Sequence, residues 1–109
     1  MNGNFIMVCP THKHFIPNAD DIIKREPIIK DYSIPIVIDM RKYLIQNGDQ
    51  CKVEVVSAPN VGILAYKGMQ FEYTTPNLRW TGHVSFSYRI VNSLTQTSDE
   101  KCVHLFIGL

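Results

Sequence analysis

Short runs of alternating apolar and polar residues, separated by Pro, Gly and Asn, fill residues 53–90 of this chain. The clearest runs are residues 71–76 and residues 82–88. Strict alternation is typical of strands that bury one face, and several such runs at nearly even spacing favour a sandwich over a fold built on crossover helices. The sequence therefore predicts an all-β protein.

Turn residues divide the chain into about seven predicted strands and one short segment that could be helical. That segment is residues 41–46, and residues 47–49 either end a helix or turn a hairpin. Pro27 and Pro35 cannot donate to a strand ladder, so we expect their strands at sheet edges or these prolines at strand starts. The predicted strands are residues 22–29, interrupted by Pro27, and residues 34–40, 51–57, 62–66, 69–73, 84–91 and 101–107.

The chain divides into an N-terminal arm, residues 1–16, and one domain, residues 17–109. A total of 109 residues suits a single core that needs no staples. The arm carries four consecutive apolar residues at positions 5–8 and then a polar stretch, which is too short to form a domain. We expect the arm to be an extension that lies against another surface.

Charge and cysteine content limit the classes of partner. The net charge of +1 lacks the excess of basic residues that a binder of phosphate backbones needs, so we expect no nucleic acid partner. The first ten residues have no basic region and only a short apolar run, which predicts neither a secretory signal nor a membrane span. Three cysteines leave at least one unpaired, which favours a reducing compartment such as the cytosol.

Aromatic residues mark the predicted core. Phe71 and Tyr73 share one face of their strand, as do Phe86 and Tyr88, so each pair can supply rings to a core between two sheets. Trp80 precedes Gly82 in a loop, where an aromatic ring can cap the end of a sandwich. We interpret these five rings as packing residues in preference to a ligand-binding patch.

One cluster could bind metal. Cys9, His12 and His14 lie within six positions, and further ligands could come from elsewhere in the chain, namely Cys51, His83, Cys102 and His104. A structural zinc site needs four ligands, usually with a second spaced Cys/His pair, which this chain lacks. We therefore predict solvated histidines, with no metal and no cofactor.

The sequence holds no motif that indicates catalysis. It has no Gly-x-Ser-x-Gly, no phosphate-binding glycine loop and no His-Glu-x-x-His. Cys51 and Cys102 lie in or beside predicted strands and are interpreted as small buried apolar groups. Asp20 and Asp21 are interpreted as a solvated turn. We predict no catalytic residues and no enzyme activity.

In order, these motifs resemble a known family, the bacterial and phage immunoglobulin-like modules called cadherin-like or tandem-repeat domains. The resemblance spans roughly residues 17–108 and implies an immunoglobulin-like antiparallel β-sandwich of about seven strands. Val84 replaces the acidic residue of the family's Gly-x-Asp-x-Phe motif, so a calcium site that uses it would lose a ligand. The motifs that match are residues 17–21, 35–40, 47–49, 59–62, 71–76 and 82–88.

In this family a single copy that starts at its own Met1 is similar to a small phage virion component, such as a decoration, neck or tail accessory protein. The resemblance implies a structural or assembly role in a virion that is built in the host cytoplasm, with other virion proteins or a homo-oligomer as partners. We assign docking to the arm residues Phe5, Ile6, Met7 and Val8. The alternative is that the arm adds a strand to its own sheet.

Two other classes of function stay open. An adhesion or carbohydrate-binding module at a cell surface would bind a surface glycan and use Tyr66, Tyr73 and Trp80 as stacking residues. A metal- or redox-dependent regulator would use Cys9, His12 and His14.

Overall fold

A computed structural model describes residues 16–48 and 50–109 of this protein, so most of the N-terminal arm lies outside the described residues. The single helix among them, α1, is Arg41–Asn47, in the segment where the sequence allowed one. The seven strands of this part of the chain are β1 Ile22–Glu26, β2 Ile36–Asp39, β3 Lys52–Ser57, β4 Ile63–Lys67, β5 Gln70–Thr74, β6 Gly82–Val91 and β7 Lys101–Ile107.

The strands form two sheets that pack as a sandwich. The four-stranded sheet has the order β1-β7-β6-β3, and the three-stranded sheet has the order β2-β5-β4. The all-β sandwich of about seven strands predicted from the sequence is confirmed. Its pairing differs from the prediction in one place, because β1 runs parallel to β7 while the other pairs are antiparallel.

Prolines set the edges of both sheets, as predicted. β1 ends at Glu26 because Pro27 has no N–H to continue a ladder, and β1 is an edge strand. Pro35 directly precedes β2, which is an edge strand of the three-stranded sheet.

Rings from both sheets meet in the core. Phe71 of β5 stands edge-on to Phe86 and Tyr88 of β6, with ring centroids 5.1 and 5.9 Å apart. Edge-to-face contacts of this kind add to the free energy gained by burying the rings. The predicted inward orientation of Phe71, Tyr73, Phe86 and Tyr88 is confirmed, since all four are buried.

Two buried tyrosines tie loops to the core through their hydroxyl groups. Tyr88 donates to the carbonyl of Asp20 over 2.7 Å and so fixes the segment before β1. Tyr73 donates to the carbonyl of Val61 over 2.5 Å and fixes the loop before β4. Each bond satisfies a polar atom that would otherwise be buried without a partner.

Candidate functional site

An apolar groove of about 610 Å³ opens on one side of the sandwich, where α1, the start of β3 and the β4–β5 hairpin meet. We call it the apolar groove. Its walls are predominantly carbon, and Lys52 is the single charged side chain among its lining residues. The lining residues are Leu44, Ile45, Gly48, Cys51, Lys52, Tyr66 and Met69.

Helix α1 supplies one wall. Successive residues of a helix point about 100° apart, so three consecutive apolar residues cannot all face the core. Tyr43 and Leu44 are buried, whereas Ile45 is 78% exposed. The helix thus presents an aliphatic side chain to solvent at the rim of the apolar groove.

The β4–β5 hairpin supplies the opposite wall through a strained residue. Lys67 pairs with Gln70, which leaves a two-residue turn in which Gly68 and Met69 both have positive φ, 60° and 65°. Such turns favour Gly or Asn at both positions, and a long side chain in this conformation costs about 1 kcal/mol or more. Met69 nevertheless occupies the turn and is 54% exposed.

Tyr66 and Cys51 add uncharged groups to the lining of the apolar groove. Tyr66 packs edge-on against Phe71 with 5.1 Å between ring centroids, and burial raises the pKa of the Tyr66 hydroxyl. The Cys51 thiol donates to the carbonyl of Asn47 over 3.1 Å at the end of α1. An apolar lining that contains one basic residue, Lys52, can exclude water from an apolar side chain of a partner.

A second hollow of about 620 Å³ lies at the other pole of the sandwich. Residues 27–31 and Ile34 line it together with Gly108. Its walls come largely from a connecting segment, whereas those of the apolar groove come from a helix, a strand and a tight hairpin.

The predicted docking residues Phe5, Ile6, Met7 and Val8 lie outside the described residues. The stacking candidates Tyr66, Tyr73 and Trp80 are described, and the structure does not bring them to one surface. Tyr66 lies in the apolar groove, and Tyr73 is 1% exposed, which leaves its ring no face for a sugar. Trp80 packs over Gly82 at the opposite pole.

Of the metal candidates, Cys9, His12 and His14 lie outside the described residues. His83 and His104 lie side by side on adjacent strands, with 2.8 Å between Nε2 of His83 and Nδ1 of His104. Within residues 16–48 and 50–109, no group of three or more His, Cys, Asp or Glu residues is arranged to hold a metal ion.

The histidine pair belongs to a stack of planar groups on the outer face of the four-stranded sheet. His83 stacks on Phe106 with 4.7 Å between ring centroids, and the guanidinium of Arg25 lies 5.3 Å from the centroid of the Phe106 ring. Cys102 is exposed, so the interpretation of this cysteine as a buried apolar group is wrong. It follows the alternation of β7 onto the outer side.

Sequence reasoning singled out Tyr66 and Cys51 in other roles and missed the remaining residues that line the apolar groove. Three consecutive apolar residues in a short helix, residues 43–45, were one available signal, because at least one must face outward. The other was Met69 directly after Gly68 between two alternating runs, where a two-residue turn favours Asn or Gly.

No protein-family model matches the chain, and a search among curated proteins found no match. The fold is similar to part of a 2,6-sialyltransferase from the Vibrionaceae bacterium Photobacterium sp. JT-ISH-224, solved with the donor product CMP and the acceptor substrate lactose. The TM-score is 0.54, the sequence identity is 17%, and the match covers 84% of this chain.

The match spans 18% of the sialyltransferase chain. It corrects one prediction, because the expectation of no enzyme activity depended partly on the sandwich fold, and the matched protein is an enzyme. That prediction is therefore wrong: a fold of this kind does not separate enzymes from binding modules. Across residues 16–48 and 50–109, no helix has the length and hydropathy needed to cross a bilayer.

Proposed function

We propose that this chain is an immunoglobulin-like docking module, which attaches to a larger protein assembly by taking an apolar segment of a partner into the apolar groove. The observation that carries this proposal is the conformation of Met69. A residue held at positive φ where Gly or Asn would be unstrained is a reason to look for a function at that position.

Met69 has the properties that docking requires. Its side chain is unbranched and polarizable, so it adapts to apolar partners of different shapes. It lines the apolar groove together with Ile45, and both residues are more than half exposed. Removing apolar surface of this kind from water on binding supplies roughly 25 cal/mol per Å² before the entropic costs of association.

Strand addition at the β3 edge is less favoured than docking in the apolar groove. β3 and β4 are edge strands that each line the apolar groove, and β3 has a register shift between Val55 and Ser57. Lys52 and Glu54 add charges along the same strand. Bulges and charges on an edge strand oppose pairing with another chain.

We further propose that the assembly is a phage virion and that the chain acts there as a decoration, neck or tail accessory protein. The support for this finer proposal is the ordered set of motifs between residues 17 and 108 that resembles phage immunoglobulin-like modules. The arm residues Phe5, Ile6, Met7 and Val8 remain the proposed docking segment, with other virion proteins or a second copy as partners.

Selection of a random peptide library on the immobilised full chain tests the docking proposal. We expect the selected peptides to share adjacent apolar residues and to lose at least tenfold in affinity on the Met69→Asn and Ile45→Asp variants. Met69→Asn is the decisive variant because Asn suits positive φ, so it should unfold no more easily than the native chain. A loss of binding could then not be attributed to unfolding.

Ile23→Asn is the matched control, because Ile23 is an exposed isoleucine, 69% against 78% for Ile45, on the outer face of the four-stranded sheet and is not among the lining residues of the apolar groove. Its variant should bind the selected peptides as the native chain does. Peptides that bind all three variants equally would contradict a docking role for the apolar groove.

A second candidate is a module that works beside, or within, a protein that acts on glycans. The observation that favours it is the match to part of a sialyltransferase. Trp80 is the sole tryptophan, so its fluorescence reports binding near Gly82. Titration with lactose and with sialylated lactose should shift this emission, and an unchanged spectrum at millimolar sugar would reject a site at Trp80.

A further inference from the structure

We infer that the apolar groove of the isolated chain is occupied by the chain's own residues 5–8. This inference rests on the proposed function, because it names what fills the docking site when no partner is present. It makes the N-terminal arm a competitor of the partner and not only a second docking element.

The described chain begins close to the apolar groove. The backbone N–H of Asn18 donates to the Asn47 side chain over 2.7 Å, and the Asn47 amide donates to the Asn18 carbonyl over 2.8 Å. Asn47 is the last residue of α1, and the next residue, Gly48, lines the apolar groove. The chain that directly follows the arm is therefore held next to a lining residue of the apolar groove.

The length of the arm suits this placement. Ten residue steps separate Val8 from Asn18, which can span at most about 33–36 Å. That reach exceeds the length of α1, whose seven residues span about 10 Å. Because Asn18 is bonded to Asn47, next to the lining residue Gly48, the arm is long enough for residues 5–8 to enter the apolar groove.

The chemistry of the arm segment also matches. Residues 5–8 are Phe, Ile, Met and Val, an uncharged run, and the lining is apolar apart from Lys52. A tether of about ten residues gives an effective concentration in the millimolar range. At micromolar protein, the chain's own arm therefore outcompetes the arm of a second copy.

A spin label on Cys9 tests the inference in the full chain. Cys51→Ser and Cys102→Ser leave Cys9 as the sole thiol, and the serine introduced at position 51 keeps a hydroxyl that can donate to Asn47. The nitroxide should broaden the NMR signals of Ile45 and Met69 and leave those of Ile23 sharp. In an Ile6→Asp, Met7→Asp variant with the same label, the broadening at Ile45 and Met69 should disappear.

A mixed sample separates the chain's own arm from that of a neighbour. Labelled chains without ¹⁵N are combined with ¹⁵N chains without label, and we expect sharp signals in the ¹⁵N chains. Broadening of Ile45 and Met69 in the mixed sample alone would overturn the inference and assign the site to a second copy. Sharp signals in both samples would also overturn it.

A second readout distinguishes failure of this inference from failure of the docking proposal. A library peptide that requires Met69 should bind the Ile6→Asp, Met7→Asp variant about tenfold more tightly, because its competitor is removed. Equal affinity for both chains would overturn the inference while leaving the docking function intact. No Met69-dependent peptide at all would reject the docking function itself.

Discussion

Gly62 lies where the loop before β4 crosses the ring of Tyr73. Its φ of +85° is in the region that favours glycine, and a Cβ built there would stand 2.1 Å from the Tyr73 hydroxyl oxygen and 2.6 Å from the Thr74 carbonyl oxygen. One of these atoms is backbone and the other belongs to a buried ring, so neither can yield easily. The hydrogen bond from Tyr73 to Val61 depends on this close approach.

Gly62→Ala should therefore lower the free energy of unfolding by roughly 3 kcal/mol or more, from strain at positive φ and loss of the Tyr73 bond. Gly68→Ala is the matched control, because Gly68 also has positive φ but has nothing within 4 Å of its Cβ position. It should cost about 1 kcal/mol. Urea unfolding measures both, and equal losses would contradict the steric account.

For single residues, the sequence allowed us to predict which aromatic rings are buried. It did not allow us to predict which groups their polar atoms bind. Alternation placed Phe71 and Tyr73 on the inner face because a strand has a period of two. The partner of the Tyr73 hydroxyl lies in a loop twelve positions away, and no local pattern encodes that contact.

The Asn60 side chain forms hydrogen bonds with the backbone of β6 beyond the point where β3 ends. Its Oδ1 accepts from the Ser85 N–H over 2.9 Å, and its Nδ2 donates to the His83 carbonyl over 3.3 Å. The side chain thus takes the place of a further residue of the neighbouring strand. β6 keeps its ladder satisfied where its partner has left the sheet.

Asn60→Ala should destabilise the domain by about 1–2 kcal/mol, since two strand groups lose their partner. Hydrogen exchange of the Ser85 amide should accelerate more than that of other β6 amides. Asn60→Asp keeps the acceptor and loses the donor, so its effect should be intermediate. Asn77→Ala, at an exposed loop position, should change stability by no more than about 0.5 kcal/mol, and a similar loss in both alanine variants would contradict this role.

The positions of the strands along the chain followed from local patterns. Which strands pair with one another in the sheets did not. Alternating runs and turn residues located the strands to within a few residues, and the prolines located two edges. The parallel pairing of β1 with β7 joins residues about 80 positions apart and leaves no local trace. The apolar groove was hidden for the same reason, since α1, β3 and the β4–β5 hairpin become neighbours only in the fold.

The whole sandwich should lose stability in alkaline solution. Burial raises the pKa of Tyr88 well above its ordinary value of 10, and burial also raises the pKa values of Tyr66 and Tyr73. In the unfolded chain these hydroxyl groups ionise near pH 10, while in the fold their ionisation is displaced to higher pH. The stability present below pH 10 is therefore lost as the pH rises toward the higher folded pKa values.

Urea unfolding between pH 9 and pH 11 should show this loss, with a limiting slope of about 1.4 kcal/mol per pH unit for each tyrosine that stays neutral in the fold. Tyr88→Phe cannot ionise at that position and should show a smaller slope. Ile90→Val lowers the starting stability by about 1 kcal/mol and keeps Tyr88, so it should retain the native slope. Equal slopes in all three proteins would contradict the role of Tyr88.

The parallel pairing of β1 with β7 also places the two ends of the described domain at opposite poles. Ile16 and Asn18 lie beside residues 97–99, just before β7 begins, while Gly108 lies against Ile28 and Thr81, just after β1 ends and before β6 begins. Tension between the ends would draw β1 and β7 past each other lengthwise. All hydrogen bonds of that ladder would then carry the load together instead of breaking one at a time. This geometry suits a domain that bears tension between its two ends.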